Sequence, residues 1–167
     1  MHNELTQKDI ELMRQELEHR RFVLRPQLIE AVKEARAFGD LSENFEYKAA
    51  KQEKNRNDSR CRYLENMIRT AVVISDDSAE DTVGLYDKVT LYVEEDDETI
   101  TCQIVTTMRQ DALKGLISKE SPVGRAVLGH KVGDRVTVQV NPQYSYDVVI
   151  QAIEPGEDTG EAPLVGF

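Results

Sequence analysis

Ile10, Met13, Leu17, Leu24, Leu28, Ala31, Ala35 and Phe38 recur at steps of three, four or seven residues. That is the period of a helix with one apolar seam. Thr6-Gln7-Lys8-Asp9 before it has the form of a capping box, with Asp where Glu is usual. Pro26 interrupts the run and removes an internal hydrogen bond. The period resumes in phase beyond it, so the expectation is a kink near residues 22–26 and not a stop. A second seam, Tyr47, Ala50, Cys61, Leu64, Ile68 and Ala71, answers the first. Its middle is polar, with Lys54 and Asn57 where apolar knobs belong. Between the seams lies Phe38-Gly39-Asp40-Leu41-Ser42-Glu43-Asn44-Phe45-Glu46-Tyr47. Gly39 and Asp40 are helix-stop and turn chemistry, and Ser42, Asn44 or Asp40 itself can cap the next helix. The pattern predicts an antiparallel helical hairpin over residues 1–74 with a carboxylate-rich turn. Two helices of roughly 30 residues span about 45 Å, and such a rod cannot bury both flanks.

The pattern then changes. Ala71-Val72-Val73-Ile74 is an extended apolar run, and Ser75 to Thr82 (SDDSAEDT) is small and acidic, an exposed linker over 75–82. Val89, Leu91 and Val93 alternate, and Ile100, Cys102 and Ile104 answer them across Glu95-Asp96-Asp97-Glu98, a β-hairpin with an acidic loop. Ser121 to Gly129 reads as a short helix, with Ser at the cap, Pro in the first turn and Gly at the end. Gly133-Asp134 turns into Val136, Val138 and Val140, and Tyr146, Val148 and Ile150 return as a last strand. Four strands and one short helix make a small domain over 83–154. The fold class is therefore α+β, with the residues from 155 to 167 a loose tail.

Hydrophobic residues make up 40% of the 167, with mean hydropathy −0.52, low for one compact globule but suited to a thin, wet hairpin. No apolar run approaches the ~20 residues of a membrane span and no signal peptide opens the chain, so a cytoplasmic protein without a membrane partner is expected. Cys61 and Cys102 form no CxxC and are read as reduced core residues. The net charge of −10 is unevenly placed: residues 1–74 carry +1 and residues 75–167 carry −11. The acidic half will not lie on nucleic acid unaided; the near-neutral half is the one to approach it.

The stretches EARAFGDLSENFEYKAAK at 34–51, RPQLIEAV at 25–32 and SPVGRAVLGHKVGD at 121–134 together resemble the Gre family of bacterial transcript-cleavage factors. With matching order and spacing the resemblance covers about residues 5–153. It implies a coiled-coil hairpin that enters the secondary channel of RNA polymerase, and an FKBP-like domain without prolyl isomerase activity that grips the channel rim. It implies that Asp40 and Glu43 help retain a second Mg²⁺ in the polymerase's own centre, which cleaves the RNA 3′ end in backtracked complexes. The chain itself would not be an enzyme and would bind no cofactor alone. Asn44, Glu46 and Tyr47 match positions that orient RNA or the channel wall, and Glu120, Ser121 and Pro122 match the segment that contacts the rim. A monomer is expected when bound, since the channel admits one rod. Phe45 stands where Ala is usual, Asn141-Pro-Gln-Tyr replaces a Gly-rich turn, and the tail has no counterpart.

The residues support part of this unaided. Asp40 and Glu43 are three apart at a turn and both ionised at neutral pH. Mg²⁺ wants six oxygens and dehydrates reluctantly, so two exposed carboxylates are half a site. Without the resemblance, their spacing favours reading them as turn and helix-start residues only. Arg20, Arg21 and Arg25 should lie level with Arg56, Arg60 and Arg62 across the hairpin. Two readings of them stay open: a patch that guides displaced RNA, or a solvated face offset by Glu16, Glu18 and Asp58. His2, His19 and His130 show no ligand spacing. Two other functions stand beside it: a binding-only channel regulator, disfavoured by the intact acid pair, and a prolyl isomerase, disfavoured because the domain has no Trp and few aromatics.

Overall fold

The computed structural model describes residues 2–39 and 43–166. They form two compact units, one of residues 10–71 and one of residues 2–9 with Val72–Gly166. The expected hairpin boundaries therefore shift at the start of the chain, because Glu4–Leu5 (β1) pairs in parallel with Val72–Val73 (β2). Leu5 is fully buried there. A two-residue strand has no period, which is why the sequence pattern does not announce it.

The capping box forms as expected at the start of α1 (Gln7–His19). The Asp9 carboxylate accepts from the Thr6 N–H at 3.0 Å, and the Thr6 hydroxyl accepts from the Asp9 N–H at 3.2 Å. The helix continues through a π-helical segment, Arg20–Leu24, into α2 (Arg25–Ala37). Proline lacks the N–H that Phe22's carbonyl would accept in an α-helix, and its ring crowds that carbonyl. The expected interruption thus takes the form of a widened turn, closed by the Arg25 N–H on the Arg20 carbonyl. Gly39, at φ +147, follows the end of α2, and α3 (Phe45–Thr70) returns. Cross-helix partners run in opposite order, Ala35 with Asn44, Arg25 with Asp58 and Glu16 with Arg60, so the hairpin is antiparallel. Ile10, Met13, Leu17, Leu28, Ala35, Cys61 and Leu64 are its buried apolar positions.

The other unit is built on a five-stranded sheet. Its strands are β3 (Lys88–Val93), β4 (Glu98–Val105), β5 (Leu116–Ser118), β6 (Arg135–Asn141) and β7 (Tyr144–Glu154), in the order β5-β4-β3-β7-β6. Val89 faces Cys102 and Leu91 faces Ile100, the pairing read from the alternation. The sequence reading missed β5, three residues long and parallel to β4. Between β5 and β6 lies α4 (Pro122–Val127), whose Val127 joins Val89, Leu91, Ile104, Val138 and Ile150 in the core.

The tail is not loose. Arg109, fully buried, holds the Asp158 carboxylate with two bonds of 2.8 Å and donates to the Ala162 carbonyl at 2.6 Å. The Val165 N–H donates to the Met108 carbonyl at 2.7 Å, and the Gly156 N–H to Asp87 at 3.1 Å. An unpaired guanidinium would be costly in this interior, so the acidic tail is drawn down onto it.

Candidate functional site

Asp40, Leu41 and Ser42 lie outside the described residues, so one of the two expected acting carboxylates has no geometry here. Glu43 is exposed, and among the described residues none bonds its carboxylate. It lines a shallow depression with Phe38, Gly39, Asn44, Phe45 and Glu46. Phe38 and Phe45 are 77% and 79% exposed, unusual for rings this large.

Asn44 caps α3. Its side-chain carbonyl accepts from the Tyr47 N–H at 3.0 Å and its amide donates to the Ala35 carbonyl at 2.6 Å. Both ends of the amide are thus engaged inside the hairpin: the residue expected to position RNA closes the turn and starts the helix. Asn44 is also the cap that the sequence left open among three residues. Glu46 is exposed in the first turn. The Tyr47 hydroxyl accepts from Arg36 at 3.3 Å, and that bond leads the causes that lower its pKa. Arg36 and Lys51 lie 5.4 and 6.0 Å from its ring.

The arginines midway along the hairpin are paired with acids. Arg20 donates to Glu16 at 2.9 Å, Arg21 pairs with Glu65, and Arg25 pairs with Asp58 at 3.1 Å. Arg60, only 3% exposed, donates to Glu16 at 2.7 Å. Of the two readings left open, the geometry supplies the ion pairs of the second, because neighbouring acids come level with these side chains. Burial would raise the Glu16 carboxyl, but the bonds from Arg60 and Arg20 outweigh it and hold it low. Arg56 is exposed and lines a separate shallow groove with Lys48, Lys51, Gln52, Asn55 and Ser59.

In the sheet unit, Ser121 caps α4 by accepting from the Gly124 N–H at 3.1 Å, and its own hydroxyl donates to the Ser118 carbonyl at 2.6 Å. Pro122 is exposed beside it. Glu120 pairs with Lys119 at 3.2 Å and Arg125 at 3.4 Å. Cys61 and Cys102 are buried and free, and burial pushes both thiols up. Among the described residues, no group of three or more His, Cys, Asp or Glu could hold a metal ion, and no helix is long and apolar enough to cross a membrane.

A two-helix hairpin with the exposed Glu43 before its returning helix is joined in one chain to an α+β sheet unit. Comparison with known proteins gives this architecture a family. Residues 3–73 match the family model "Transcription elongation factor, N-terminal", and residues 78–155 match "Transcription elongation factor, GreA/GreB, C-term". The chain is 46% identical over 136 residues to transcription elongation factor GreA of Geobacillus kaustophilus, covering 81% of this chain and 86% of that one. It is 40% identical over 151 residues to GreA of Streptococcus pneumoniae, covering 90% and 94%. The crystal structure of GreA factor homolog 1 (Gfh1) of Thermus thermophilus aligns with 91% of this chain and 98% of its own at TM-score 0.41 and 30% identity. The chain belongs to the GreA/GreB family of transcription elongation factors.

Proposed function

We propose that this elongation factor inserts its hairpin into the secondary channel of RNA polymerase and presents Asp40 and Glu43 to the polymerase's own active centre. There the polymerase cleaves the RNA 3′ end of a backtracked complex, and elongation resumes. The observation that carries this reading is Glu43, exposed at the turn and bonded by no described residue. A carboxylate that no described residue engages is available to complete a site that another molecule leaves unfinished.

The donor chemistry fits Mg²⁺ in kind, since carboxylate oxygen is its preferred protein ligand, and falls short in number. Asp40 and Glu43 would share the ion with ligands from the polymerase. Bound there, it would supply activation of a water and stabilisation of the leaving oxygen. This chain's part is positional: Asn44 closes the turn onto Ala35, so that Glu43 directly before it is held at the end of α3. Arg56, with Lys48 and Lys51, offers positive charge to the displaced RNA, while Glu46 and Tyr47 face the RNA or the channel wall. Glu120, Ser121 and Pro122 are proposed to meet the channel rim, one monomer to a polymerase, in the cytoplasm.

The test is Asp40→Asn with Glu43→Gln in a purified backtracked elongation complex with Mg²⁺. The doubly substituted protein should bind polymerase and fold normally, because exposed carboxylates contribute little to stability, yet release no 3′ RNA fragments above background. Equal release by both proteins would reject the shared-metal role. Binding without stimulated release by the unsubstituted protein would make the chain a channel regulator only.

A further inference from the structure

Asn57 is, with Lys54, one of two polar residues out of place in the second seam, and the structure shows what it does there. It is 3% exposed, yet its amide oxygen and its amide nitrogen both bond to a single residue of the facing helix. Its carbonyl oxygen accepts from the Arg20 guanidinium at 2.9 Å, and its amide donates to the Arg20 backbone carbonyl at 3.2 Å. That carbonyl opens the π-helical segment and also accepts the Arg25 N–H. The Arg20 Nε donates to Glu16 at 2.9 Å, and Arg60 grips the same carboxylate at 2.7 and 3.3 Å. Four side chains, two from each side of the hairpin, thus form one connected polar layer.

We infer that Asn57, through Arg20, sets the axial register of α3 against the outgoing helix and so acts as a positioning residue for the acidic turn. Apolar contacts between helices are tolerant of sliding, since one leucine serves much like the next. A buried amide that needs both the side chain and the backbone of one particular residue is not. Any slip leaves Asn57 unsatisfied and Arg60 as a buried charge parted from Glu16, the arrangement by which a buried polar residue selects one register at some cost in stability. The widened turn contributes: a π-helical segment opens the backbone, which lets a side-chain donor reach the Arg20 carbonyl from outside the helix.

The consequence for activity rests on the function proposed above. A slip of one helical turn is about 5.4 Å, whereas Mg²⁺–oxygen bonds are about 2.1 Å long and allow little error. Slip of α3 against α2 is transmitted to the turn that joins them, and a misplacement of about 1 Å can cost about 100-fold in rate.

The experiment compares the full-length protein with Asn57→Leu, which removes both bonds, and with Arg20→Met, which removes the guanidinium bond from the other helix and leaves the backbone carbonyl in place. Nitroxide labels on Lys33→Cys and Gln52→Cys, both exposed positions, report the register as a distance distribution by pulsed electron resonance, the native cysteines being buried. Expected in both variants is a broadened or two-population distribution, with helix content retained and the Asn57→Leu melting midpoint not lowered. Maximal RNA cleavage should fall at least about tenfold, while the concentration giving half-maximal polymerase binding stays within about threefold. A single distribution identical to that of the unsubstituted protein overturns the inference, as does a lowered melting midpoint with cleavage intact. If the unsubstituted protein stimulates no cleavage, the functional proposal fails alone, and the distances still decide the register.

Discussion

Arg109 shows how much one residue can organise. Its guanidinium meets Asp9 at 3.2 Å and Asp158 at 2.8 Å, with Tyr86 5.7 Å away. The first partner is 100 positions away in the chain and the second 49, so no local pattern could join them. Burial would raise the Asp158 carboxyl, but hydrogen bonds from Arg109 and the Gly160 N–H outweigh it and hold it below the ordinary aspartate range. Asp158→Asn strands part of a buried charge. It should cost about 3 kcal/mol and lower the thermal midpoint by on the order of 10 °C, followed by circular dichroism. The pH dependence has a definite sign. A depressed folded-state pKa means that the contribution is complete above about pH 3.9, the unfolded aspartate value, and disappears as pH falls through the lower folded value. Acid titration of the Asp158→Asn protein should therefore lack part of the stability loss that the unsubstituted protein shows below about pH 4.

At the scale of elements, the caps were legible and the short pairings were not. Thr6–Asp9 and Ser121 declare themselves by residue type and spacing, and both make the bonds expected of them. Ser121→Ala should remove about 1 kcal/mol, seen as a lower thermal midpoint, whereas Ser121→Asp keeps a capping oxygen and should hold it. If Ser121 also meets the polymerase rim, Ser121→Asp will weaken polymerase binding without the loss of stability. Equal binding by the Asp variant would confine Ser121 to capping. Pro26 announced an interruption, but not its form. The carbonyl at the head of the π turn takes the amide of Asn57, which lies 37 residues away.

Across the whole chain, charge is divided: the residues from 75 on carry −11 and the rest +1. The near-neutral part is the one suited to approach RNA, since the acidic part repels phosphate. The family match ends at residue 155, yet the following residues supply Asp158, the Ala162 carbonyl and the Val165 N–H to the sheet unit. A protein ending at Pro155 should accordingly melt lower than Asp158→Asn, because it loses these bonds together. A midpoint equal to that of the full chain would show that Arg109 finds water or another partner instead.

Periodicity alone determined the two long helices and the β-hairpin, because each rests on residues close together in sequence. The α+β class followed from the change of period near residue 75. Only the tertiary structure decided where the polar side chains went. It placed Asn57 on Arg20, Arg60 on Glu16, Arg25 on Asp58 and the tail on Arg109. Buried polar groups are satisfied by whichever partner the packed fold brings within about 3 Å, and that distance is set by folding and not by position along the chain.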